Sequence, residues 1–155
     1  MRALKSGLIA LGLVAGLVSG AGVPAQENES QPLKSQMGTN YQVVANILAD
    51  LVAGRYQALQ SQAELMVRHA ADLSAAVPPG LDAAGRAVFL AYATNLRLAA
   101  TQVATIAERL AKQDGRPTAP GDLSVDYLRS AAAQHFGNLV TACALCHSQF
   151  HPQML

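Results

Sequence analysis

The sequence predicts an all-α fold, an antiparallel four-helix bundle, and three observations predict it. Apolar residues recur at three- and four-residue steps through four separate stretches, the signature of helices that each bury one face. Gly and Pro punctuate the chain between those stretches, at Gly54, at Val77-Pro78-Pro79-Gly80 and across 113–121. No β-branched alternation runs between turn signals, whereas alanine, the best helix former, is abundant. Helices joined by short loops pack as antiparallel neighbours.

The chain opens like an exported protein. Arg2 and Lys5 make a positive start, 8–21 is apolar apart from Gly and Ser19, and Val23-Pro24-Ala25 offers the small residues a signal peptidase reads. A signal peptide over 1–25, a polar disordered tail over 26–32 and one bundle domain over 33–155 follow. The apolar run is shorter than the roughly 20 residues that span a bilayer. No stable membrane insertion is therefore expected after cleavage, a retained anchor being the alternative. No Cys lies near the cleavage site to carry a lipid. Loss of Arg2 and Lys5 turns the formal charge of +1 slightly negative. That balance speaks against nucleic acid, which calls for a basic stripe, and against a polybasic membrane surface.

Each helix has its own warrant. In the first, Leu33, Met37, Tyr41, Val44, Leu48 and Leu51 draw one apolar stripe, and Gly54 closes it. The second runs from about Tyr56 to Ala76 with Leu59, Ala63, Met66, Ala70 and Leu73 on one face. Pro78 and Pro79 then stop it, because proline cannot continue a helix. Asp82 caps a third helix reaching about Lys112, its inner face taking Val88, Leu90 or Ala91, Leu98, Val103 and Ile106. After the loop, Asp122 or Ser124 caps a fourth that carries Tyr127, Leu128, Ala132, Phe136, Leu139 and Val140.

That fourth helix leads into Cys143-Ala144-Leu145-Cys146-His147, a C-x-x-C-H motif and the mark of a c-type haem attachment site. Each sulfur can add to a haem vinyl group to form a thioether, and the His that follows is held under the iron as the proximal ligand. On a helix these positions, i, i+3 and i+4, share a face and so can address one macrocycle. A thiol redox pair is a second reading, but such a motif usually opens a helix just after a strand. A zinc site is a third. It would need more ligands, and His151 makes only a cramped set on the same helix. The two Cys are the only ones in the chain, so no disulfide framework is expected to hold the fold. Phe136 and Val140 precede Cys143 on its own face and are expected to pack the haem edge, or simply the core.

With Cys143, Cys146, His147 and Phe150 on the last helix of a small exported bundle, the chain resembles the class II c-type cytochromes, cytochrome c-prime and its low-spin relatives. The resemblance covers the whole mature chain as architecture. It implies one covalent haem c, a periplasmic location and single-electron transfer with redox partner proteins, not enzymatic turnover. Where the family often has a basic residue after the aromatic, this chain has His151.

The sixth iron ligand divides the functional readings. In an up-down-up-down bundle the first helix begins where the fourth ends, and Met37 lies about 6 Å along it from Leu33. Met37 and His147 can thus face one iron from opposite sides, and low-spin members of the family use a Met on the first helix. A buried Met is also an ordinary core filler. Were Met37 to pack aside, the iron would be five-coordinate and open to a small gas such as NO or CO. Tyr41 and Val44 line the same distal wall in either case. His69, Met66 and His135 are weaker candidates. A peroxidase would need Arg68 and His69 to reach the distal side. Homodimerisation through exposed faces of the first two helices is a further expectation.

Overall fold

The computed structural model describes residues 27–116 and 121–154, with side chains over 35–116 and 121–150. The predicted signal peptide lies outside the described residues. All regular structure among the described residues is helical: α1 (Glu27–Ala53), α2 (Tyr56–Ala75), α3 (Ala83–Gln113) and α4 (Val125–Met154). The four form a bundle in which α1 packs on α2, α2 on α3, α3 on α4, and α4 returns to α1. The α2–α3 seam is the most extensive and the α1–α4 seam the slightest.

The breaks fall where the punctuation puts them. Gly54 has φ +69°, a left-handed conformation that costs glycine little, and α1 stops at the residue before it. Asp82 is the N-cap of α3, its carboxylate accepting the Gly85 N–H at 2.7 Å. Of the two cap candidates for α4, Ser124 is the one whose hydroxyl accepts an N–H of the first turn, that of Tyr127, at 3.2 Å. α1 begins at Glu27 rather than at Leu33, so 27–32 is helical and not a tail. Its polarity hid the helix, since periodicity of apolar residues is blind to a turn that has none.

Which face each helix buries is less regular than the periodicity suggests. All five residues predicted for α2 are buried, and Met66 is pure core. On α1 the buried line is Asn40, Val43, Ile47 and Asp50, with Met37, Val44 and Leu51 half-buried beside it. Tyr41 is 71 % exposed and Leu48 46 %. The helix is therefore turned from the predicted stripe, because it carries apolar residues on two adjacent faces and Ile47 and Val43 win the core. On α3, Val103 and Ile106 are buried as predicted, but Phe89, Ala93 and Leu96 replace Val88 and Leu98 in the first half. On α4, Leu128, Ala132 and Leu139 are buried, Phe136 is half-buried, and Tyr127 and Val140 are exposed.

Contacts between remote parts of the chain gather at two ends of the bundle. At one end, Gln36 near the start of α1 meets His69 late in α2, and Tyr92 early in α3 meets Gln149 near the close of α4. At the other, the Arg129 guanidinium at the start of α4 donates to the Tyr56 hydroxyl at the start of α2 and lies over its ring. Asp50, buried, is there paired with Arg55 at 2.6 Å. No described helix is long and apolar enough to cross a membrane.

Candidate functional site

A cavity of about 370 Å³ opens at the end where Gln36 meets His69. It lies between α1, α3 and α4, with Leu73 of α2 at its back. This wedge is where the α1–α4 seam is thin. Small residues make the room: Ala93 on α3 and Ala142 and Ala144 on α4 stand where larger side chains would close it. The volume falls in the range of small-molecule and cofactor pockets, roughly 300–1,000 Å³.

α4 contributes the reactive wall. Cys143, Cys146 and His147 all line the cavity, as their spacing on one helical face requires. The two thiols are half-buried and free, while His147 sits at the exposed mouth. Burial pushes the Cys143 thiol up, and burial followed by the neighbouring Cys143 pushes Cys146 up to about 11. Both sulfurs are thus protonated at neutral pH, the reverse of the lowered pKa that marks exchange-active cysteines. Just past the motif, Phe150 is fully buried and meets Phe89 edge to face at 5.5 Å and Tyr92 at 6.3 Å. The Tyr92 hydroxyl donates to Gln149 Oε1 at 3.1 Å. Together these contacts hold the end of α4, and with it His147, against α3.

α1 contributes the facing wall. Met37, Tyr41 and Val44 line the same cavity as the Cys–His motif, and so does Asn40. Val140 lines it too, from one turn before Cys143. Phe136 does not: it is half-buried and packs on the hydrophobic core, the other of its two predicted roles. Met66 is core, and His135 borders a separate groove between α3 and α4. His69 lies behind the α1 wall, its Nδ1–H donating to Asn40 Oδ1 at 2.7 Å.

Asn40, Leu73, Phe89, Tyr92, Ala93 and Leu96 belong to the site, and sequence reasoning passed over all six as parts of it. Asn40 carried a usable signal, standing three residues after Met37 on the same face. In the sequence Phe89 and Tyr92 read only as bundle aromatics, because the expected inner face of α3 runs through Val88.

The lining fits a largely apolar group. Aliphatic and aromatic side chains make most of the wall, with two sulfur nucleophiles on one side, a thioether on another and an imidazole at the mouth. Among the described residues no three His, Cys, Asp or Glu side chains gather as a self-contained metal site. No family model, curated protein or solved structure matches the chain.

Proposed function

We propose that the chain is an exported c-type cytochrome of the class II kind, an antiparallel bundle holding one covalent haem c. More particularly, we read it as a low-spin electron-transfer protein of the periplasm. The observation that carries this reading is the single cavity shared by Cys143, Cys146 and His147 from α4 and Met37 from α1. Four residues of the right chemistry meet there although 106 positions separate Met37 from Cys143. The contacts of early α1 with late α2, and of early α3 with late α4, support the antiparallel arrangement.

When bound, a haem supplies an iron that takes up and releases one electron. This chain's residues hold and tune it. Cys143 and Cys146 would attach the ring through thioethers, and His147 and Met37 would hold the iron, a thioether sulfur serving to raise the potential. Phe89, Leu96 and Val44 exclude water from the faces of the site. The exposed mouth at His147 and Val140 leaves an edge open to a redox partner protein. Tyr41, Leu48 and Val52 are exposed along one line of α1 at steps of seven and four, which supports a homodimer through that helix.

Met37 is half-buried and packs on the core, and this favours a second reading in which it stays aside and leaves the iron open to NO or CO. An absorption spectrum of the protein exported with a haem-maturation system, with and without CO, separates the two. A low-spin spectrum indifferent to CO is the expected result. A high-spin spectrum that shifts with CO would make gas binding the function, and no haem spectrum would return the two Cys to thiol chemistry.

A further inference from the structure

Two polar residues are buried among the described ones, Asp50 and Asn40. Asp50 is accounted for by Arg55, whose Nε and Nη2 donate to its carboxylate at the far end of the bundle. Asn40 is different. It is 6 % exposed and stands in a predominantly apolar cavity wall, where a leucine would incur no cost of burying an amide. Its Oδ1 is taken by His69 Nδ1–H at 2.7 Å. The part of the side chain not engaged by His69 is the NH₂ group, which can only donate. Asn40 also follows Met37 by one helical turn on the face that lines the cavity, so it borders whatever position Met37 addresses. His69 is itself anchored, its carbonyl accepting from Gln36 Nε2 at 3.3 Å.

We propose that Asn40, oriented by His69, is the hydrogen-bond donor on the ligand side of this cavity and selects small axial ligands that carry negative charge density. The inference rests on the haem reading above. A thioether sulfur is a weak acceptor, so Asn40 contributes little while Met37 is bound and discriminates once that position opens. An anion such as cyanide gains a charge-assisted hydrogen bond there, and neutral carbon monoxide gains almost none. Asn40 would touch the ligand. His69 acts through it, as a positioning residue.

The test uses haem-loaded Met37→Ala protein, in which the position is open, and its Asn40→Leu, His69→Leu and His69→Asn derivatives. Cyanide affinity of the ferric form and carbon monoxide affinity of the ferrous form are titrated optically. Asn40→Leu should weaken cyanide about tenfold or more and leave carbon monoxide nearly unchanged. His69→Leu should lose part of the cyanide affinity. His69→Asn should restore it, because a carboxamide nitrogen can take the place of Nδ1. The His69 pair carries the same test without altering the cavity wall. Equal losses for both ligands, or unchanged cyanide affinity in Asn40→Leu, would overturn the proposal and leave the haem reading intact. A parent protein without haem after maturation would overturn both.

Discussion

Met37 and Phe150 illustrate how single residues decide this site. Among the described residues Met37 is the only cavity-lining thioether, and it comes from the helix facing the Cys–His motif. In the haem-loaded protein, Met37→Ala should therefore convert a low-spin spectrum to a high-spin one and create CO binding. A spectrum unchanged by the substitution would remove Met37 from the coordination sphere. Phe150 is 2 % exposed and closes an aromatic cluster with Phe89 and Tyr92. Phe150→Ala should cost about 3–5 kcal/mol in chemical denaturation, as large aromatic truncations in cores do. The three motif residues were legible in the sequence because their chemistry is local, fixed by spacing within five residues of one helix. For Asn40 only the place one turn after Met37 was legible; its pairing was not, because its partner His69 lies 29 residues away on another helix.

At the scale of the element, punctuation was readable and phase was not always so. Gly54 and the Pro78-Pro79 break act through backbone geometry, and the Asp82 cap through a side-chain bond to a backbone N–H three residues on, so all three are local and the sequence places them well. Asp82→Ala should remove the acceptor of the Gly85 N–H and cost about 1 kcal/mol, measurable as a lower urea midpoint with an unchanged slope. An unchanged midpoint would mean that the cap is replaced by solvent. The buried face of α2 was predicted except for Tyr56, because that helix has one apolar stripe on a polar background. α1 and the first half of α3 have apolar residues on neighbouring faces, and only packing against the other helices selects between them. On α1 the residues left out of the core are informative, since Met37, Tyr41 and Val44 line the cavity instead.

For the molecule as a whole, stability comes from packing of helix faces, since the two cysteines are free and no disulfide ties the described bundle together. The cavity is a gap in that packing, and its apolar lining forgoes contacts that a filled interior would make. A group filling it and tethered at both sulfurs would supply those contacts. Cys143→Ala with Cys146→Ala should therefore destabilise the exported domain severely, read as loss of yield and a lower Tm. A double variant exported in normal amounts with wild-type Tm would contradict the haem reading at its base.

By itself the sequence determined the helix count, the breaks between helices, the one-sided arrangement of Cys143, Cys146 and His147, and the single stripe of α2. These are consequences of backbone preference and of the 3.6-residue repeat, which act within a few residues. Only the tertiary structure decided which face of α1 and α3 turns inward and that Phe136 joins the core rather than the cavity. It alone put Asn40 on the wall facing the motif, beside the Met37 expected there, with His69 behind. Those outcomes depend on competition between neighbouring apolar faces for one shared interior, a choice made when the helices pack.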